Sequence, residues 1–131
     1  MLLVDANAIL RFTLNDNADM AAKISELIVK AKISVRYEVL AEVVYVLNKV
    51  YALPRAELVE GIQVFLSNPN VEIESAEALP LALKAYAETN MDFVDCVLYG
   101  LNAAYGHNVF TFDKQLNSKI KTLDQDDSAV I

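Results

Sequence analysis

Cysteine, histidine, glycine and proline are all scarce in this 131-residue sequence, with one Cys, one His, three Gly and three Pro, and tryptophan is missing altogether. A lone Cys96 cannot close an internal disulfide, which excludes a stapled scaffold and suits a reducing compartment. The amino terminus lacks the basic start of a secretory leader, so the expected location is the cytoplasm. So few Gly and Pro leave no linker, no low-complexity stretch and no Gly-rich phosphate loop. No apolar run reaches the ~18 residues that a membrane helix needs. Positive charge is short as well, with 11 Lys and Arg against 18 Asp and Glu and a net charge of −7. That balance argues against indiscriminate binding to nucleic acid, which relies on Lys and Arg to displace counterions from phosphates. It does not exclude a nuclease, because carboxylates gathered round a divalent cation would account for much of the excess.

What is present is a chain 55% hydrophobic, enough to bury a core without staples. We expect a single domain over residues 1–123 and a flexible tail over 124–131. Met1 to Val4 has strand character and ends at Asp5, after which Ala8, Ile9 and Phe12 take up helical spacing. Asn15-Asp16-Asn17 marks a turn. Ala21, Ile24, Leu27, Ile28 and Ala31 recur at three and four, an amphipathic helix over 18–31. Then follow a strand at 33–36, a helix at 37–51, and a helix from Pro54 to about Leu66. Beyond the turn at Ser67-Asn68-Pro69-Asn70 come a short strand at 71–74 and a helix at 76–88. A helix capped by Asp92 runs to about Tyr105, Gly106-His107 ends it, and Val109 to Phe112 forms a strand leading into Asp113. Strands alternating with helices predict an α/β fold, with a mostly parallel sheet covered on both faces.

In such a sheet the ligand crevice lies beyond the carboxyl ends of the strands. Asp5 and Asp113 stand at two such ends, and each is equally well placed to cap the helix that follows. Glu42 is the single charge in Val39-Leu40-Ala41-Glu42-Val43-Val44-Tyr45-Val46-Leu47, a stretch that otherwise favours the interior, where an unpaired carboxylate costs several kcal/mol. Alternatively it shares a narrow exposed stripe with Glu38, Tyr45 and Lys49. In Asp92-Phe93-Val94-Asp95 the two acids read either as a capping box or as members of an acidic cluster. Carboxylates converging from separate elements would repel one another unless a cation sat among them. One His and one Cys cannot build a zinc site, so the available donors are oxygens, which suit Mg²⁺ or Mn²⁺. His107 reads as a loop residue and Cys96 as core filling. No Ser-His-Asp set and no Cys-x-x-Cys pair supports covalent or redox chemistry, which leaves metal-assisted hydrolysis.

Taken together, Leu3-Val4-Asp5-Ala6-Asn7, the stretch Val39 to Leu47, Asp92-Phe93-Val94-Asp95-Cys96 and Thr111-Phe112-Asp113-Lys114 resemble the PIN domain family over about residues 1–118. Within it they resemble the VapC-type toxin ribonucleases of toxin-antitoxin pairs. Leu53-Pro54-Arg55-Ala56-Glu57 and Ala82-Leu83-Lys84-Ala85-Tyr86 add to the likeness. The resemblance implies a three-layer fold, with a central sheet of four or five short strands flanked by helices. It makes Asp5, Glu42, Asp95 and Asp113 the metal-binding catalytic quartet, with Asn7, Asp92 and Thr111 in support. It implies hydrolysis of an RNA phosphodiester by a metal-activated water, leaving a 5′ phosphate and a 3′ hydroxyl. Arg11, Arg36 and Lys114 are the candidates to hold the RNA backbone. A homodimer and a basic antitoxin partner are implied too, and the acidic charge suits such an inhibitor. Relatives often carry a further acid shortly after the position of Asp113, where this chain has the neutral Gln115 and Asn117. That departure supports a competing expectation, a non-catalytic module that binds RNA or protein. A phospho-aspartate phosphatase fits less well, because Asn7 stands where a second Asp is wanted.

Overall fold

The computed structural model describes residues 1–120 and is a mixed α/β structure. Its chain divides into two compact units, Met1–Glu74 and the segment from Ser75 onward. The tail expected at 124–131 lies outside the described residues.

The first unit carries the sheet. Strands β1 (Leu2–Leu3), β2 (Ile33–Val35) and β3 (Val71–Ile73) pair in parallel in the order β1-β2-β3. Leu2 faces Ile33 and Leu3 faces Ser34, while Ile33, Ser34 and Val35 face Val71, Glu72 and Ile73. Parallel neighbours cannot be joined by a tight turn, so helices make the connections. Helices α1 (Ala6–Leu14) and α2 (Ala18–Lys30) link β1 to β2, and α3 (Tyr37–Tyr45) and α4 (Arg55–Leu66) link β2 to β3.

Local chemistry sets these boundaries. The Asp5 carboxylate accepts a hydrogen bond from the Ala8 N–H at 3.0 Å and starts α1. Asn15, in the left-handed conformation at φ 51°, ends it, and Asn17 accepts from the Met20 N–H at 3.0 Å to start α2. Asn and Asp tolerate these positions because their short polar side chains bond to nearby backbone. The helix expected over 37–51 changes character instead of running through: α3 gives way to a π-helical turn at Val46–Val50, closed by the Tyr51 N–H on the Val46 carbonyl. The Asn48 side-chain amide then donates to the Leu53 carbonyl at 3.1 Å and fastens the turn to the approach to Pro54. The core of the unit forms from Ile9 on α1, Leu40, Val43 and Leu47 around α3, and Leu58, Ile62 and Phe65 on α4, all fully buried. Phe12 meets Phe65 edge to face at a centroid distance of 5.2 Å.

In the second unit, α5 (Ala78–Glu88) packs along α6 (Phe93–Tyr105), followed by the short α7 (Lys114–Lys119). Gly100 is what lets the helices approach, because a Cβ there would strike the Ala78 carbonyl oxygen. Tyr86 and Phe93 meet edge to face at 6.0 Å, and the Glu77 N–H donates to the Tyr105 hydroxyl at 3.1 Å. Gly106, at φ 72°, closes α6 in the left-handed conformation. Cys96 is buried core filling, as expected, and His107 is an exposed loop residue. The loop is tied back by the buried Asn102, whose side-chain amide donates to the His107 carbonyl at 2.9 Å.

The sheet is smaller than the four or five strands expected. Among the described residues there are three, and the strand placed at Val109–Phe112 is irregular. The period-two pattern survives there, since Phe110 and Phe112 are exposed and meet edge to face at 5.2 Å. A strand also needs a partner edge, and the described part of its own unit offers none. Among the described residues no helix is long and apolar enough to cross a membrane.

Two substitutions test this packing. Phe65→Ala is expected to cost about 3–5 kcal/mol in urea denaturation, because the ring is fully buried. Gly100→Ala is expected to cost about 1–3 kcal/mol by forcing α5 and α6 apart, and an unchanged midpoint would show that α6 has room at Gly100.

Candidate active site

The carboxyl edge of the first unit's sheet carries Asp5 beyond β1, Arg36 beyond β2 and Glu74 beyond β3. Asp5 is exposed and has an extended backbone (φ −89°, ψ 176°). Only its Oδ1 is engaged by the Ala8 N–H, so capping fixes the carboxylate and leaves the second oxygen available. The capping and ligand readings of Asp5 are therefore compatible. Asn7 follows, exposed in the first turn of α1.

Glu42 is exposed, which overturns the expectation that it sits in a buried stretch. Leu40, Val43 and Val44 turn the opposite side of α3 inward, while Glu38, Glu42, Tyr45 and Lys49 form an outward stripe at four- and three-residue spacing. The helix thus buries one side only, and the Glu42 carboxylate pays no burial cost.

In the second unit Asp95, in the first turn of α6, is half-buried. Its pKa is raised, first by burial and then by the charges of Asp113 and Asp92. Asp92 occupies the N-cap position of α6, yet its carboxylate makes no capping hydrogen bond, so no capping box forms. Asp113 caps α7, its Oδ1 accepting from the Leu116 N–H at 2.8 Å. Thr111 supports Asp113 directly: its hydroxyl oxygen accepts from the Asp113 N–H at 3.0 Å, and its carbonyl accepts from the Asn117 side-chain amide at 2.8 Å. The neutral residue at 117 therefore has a structural task.

The three basic candidates differ sharply in availability. The Arg11 guanidinium donates to Asp16 at 2.9 Å and to the Tyr51 hydroxyl at 3.5 Å. The Tyr51 bond and the Asp16 charge hold its pKa above the ordinary value despite partial burial. Arg36 pairs with Glu38 at 2.9 Å, a bond that raises the arginine and lowers the carboxylate. Lys114 is exposed and makes no ion pair among the described residues.

Two cavities adjoin these residues in the first unit. A polar one of about 250 Å³ is lined by Ser34, Val35, Arg36, Tyr37, Glu38 and Glu74. A larger one of about 370 Å³ lies between α1 and α2, bounded by Asp5, Asn7, Ala8 and Arg11 on one side and Met20, Lys23, Ile24 and Leu27 on the other. Lys23 is a lining residue that the sequence reading did not single out. The spacing of Met20, Lys23, Ile24 and Leu27 does place them on one helical face, but a lysine on a surface helix carries no further signal.

Among the described residues of either unit, no three His, Cys, Asp or Glu side chains stand close enough together to hold an ion. The donor chemistry nevertheless suits a hard divalent cation, because the acids offer only oxygens and a cation would favour the ionised form of Asp95 that burial first, and then the charges of Asp113 and Asp92, oppose.

A model of the PIN domain matches residues 2–121, a stretch that runs through both units. No curated protein and no solved structure matches the chain.

The raised pKa of Asp95 has a definite sign for stability. The folded state opposes the charged form, so stability is fullest below the ordinary carboxylate range and is lost as pH rises through the raised value. Asp95→Asn is therefore expected to raise the urea midpoint at pH 7 and to leave it nearly unchanged in acid, where the native carboxyl is already neutral. A stabilisation that grows towards acid pH would contradict this account.

Proposed function

This chain belongs to the PIN domain family, whose members are generally nucleases, and from that premise we propose that it is a Mg²⁺- or Mn²⁺-dependent endoribonuclease, the VapC-type toxin of a toxin-antitoxin pair. Residues 1–123 act as one functional domain in this reading. In this reading Asp5, Glu42, Asp95 and Asp113, the acids that the sequence motifs single out, are the residues that would hold the cation. The observation that supports the proposal lies in the second unit: burial first, and then the charges of Asp113 and Asp92, raise the Asp95 pKa, and no capping hydrogen bond accounts for the Asp92 carboxylate.

A divalent cation bound by these acids would neutralise charge on the phosphodiester and lower the pKa of a water nucleophile. The chain's own residues hold the acids in place. The Ala8 and Leu116 N–H groups each engage one oxygen of Asp5 and Asp113, which orients the carboxylates before any ligand arrives. Thr111 anchors the backbone of Asp113, and Asn7 offers an amide beside Asp5. Lys114, next to Asp113 and without an ion pair among the described residues, is the best placed of the three basic candidates to meet an RNA phosphate. Arg11 and Arg36 would first have to leave Asp16 and Glu38. A homodimer, a basic antitoxin and a cytoplasmic location complete the reading, and the net charge of −7 supports the basic partner.

A second reading, a non-catalytic module that binds RNA or protein, draws on the neutral Gln115 and Asn117. Asn117 is occupied with the Thr111 carbonyl and does not supply an acid.

Calorimetry with Mn²⁺ on the native chain and on Asp95→Asn separates the two readings without needing the RNA target. The expected result is binding that disappears in the variant. No binding by a folded native chain would favour the non-catalytic module. With RNA as substrate, Asp5→Asn and Asp95→Asn are each expected to abolish cleavage while leaving the fold intact. Asn caps a helix as well as Asp does, so the first variant keeps α1 started. Full activity in both variants would overturn the proposal.

A further inference from the structure

We infer that the cavity between α1 and α2 is a nucleotide subsite, in which Lys23 holds an RNA backbone phosphate and Met20, Ile24 and Leu27 form the floor for its base. The inference rests on the ribonuclease reading and adds to it a substrate-positioning residue and the place of a nucleotide beside the acids.

Four observations support it. First, the cavity is lined by Asp5 and Asn7, so whatever fills it lies against the proposed site. Second, its volume of about 370 Å³ falls in the range of ~300–1,000 Å³ usual for small-ligand sites. Third, the lining combines an apolar floor with few polar groups, the composition that seats a flat base and orients it by a small number of charges. Fourth, the two cations at the cavity are unequal. Arg11 is tied to Asp16 and Tyr51, whereas Lys23 is exposed and makes no ion pair among the described residues. An ammonium group with no carboxylate partner, beside an apolar floor, is complementary to an anionic and planar ligand.

The helical register explains how these groups come together. Met20, Lys23, Ile24 and Leu27 recur at three, four and seven, so α2 presents them along one line. Ala8 and Arg11 are three apart on α1, and the small Ala8 side chain leaves the space open.

The test is anisotropy binding of a labelled single-stranded RNA to the chain in the cleavage-silent Asp95→Asn background, measured over a salt series. Lys23→Gln is expected to weaken binding by a similar factor for every RNA sequence. It should also lower the slope of log affinity against log salt by about 0.7, the value for one phosphate contact on a single strand. Met20→Ala is expected to weaken binding severalfold with the slope unchanged, because the contact it removes is not ionic. In the native background the loss caused by Lys23→Gln should fall on KM in the cleavage assay. If Lys23→Gln and Met20→Ala keep native affinity and slope while the native chain cleaves RNA, the subsite is overturned, the ribonuclease reading stands, and the cavity is left to a protein segment. If the native chain neither cleaves nor binds RNA, the ribonuclease reading fails and the subsite with it.

Discussion

Parallel pairing is the constraint on which the first unit depends. Three strands of two or three residues each, all running the same way, cannot be joined by hairpins, so each connection must leave the sheet and return through helices. Every strand then ends at the same edge, and whatever residue follows it is delivered there. Asp5, Arg36 and Glu74 share an edge for this reason alone, although they are far apart in the chain. The helices that make the crossovers also supply the core, with Ile9, Leu40, Leu47, Leu58, Ile62 and Phe65 fully buried.

At Asp5 and Asp113 a structural task occupies only part of the side chain. Each accepts a backbone N–H that the following helix would otherwise leave unpaired, and each keeps its second oxygen. A capping carboxylate is therefore a pre-oriented one. Asp92 and Asp95 differ, because no capping hydrogen bond accounts for Asp92 and the fold opposes the charge on Asp95. Burial opposes that charge first, and the charges of Asp113 and Asp92 add to it. Among the cations the division runs the other way. Arg11 and Arg36 are neutralised by Asp16 and Glu38, whereas Lys23 and Lys114 have no ion pair among the described residues.

Much of this was legible in the residue order. The helices at 6–14, 18–30, 55–66, 78–88 and 93–105 follow from apolar spacing and from stop signals such as Asn15, Pro54 and Gly106, all of them local effects. Glu42 was harder to read. Nine residues rich in Val and Leu look buried all round when taken in a line, but the helix turns them through its whole circumference and leaves Glu38, Glu42, Tyr45 and Lys49 outward. The π-helical turn after Tyr45 was not read from the sequence, where the apolar spacing over 37–51 continues as in an α-helix. Val109 to Phe112 shows the opposite error: its alternation is real, but alternation describes one strand and a ladder needs two.

The sequence by itself determined the class of fold and the family, because periodicity, capping residues and motif order are written in the order of the side chains. Only the tertiary structure decided which charges are engaged. Arg11 lies 40 residues from Tyr51 in the chain, and Asp95 lies 18 from Asp113, and these separations are closed only when helices pack. The cavity beside Asp5 belongs to the same category, since a space between two helices is a property of their packing and of no residue alone.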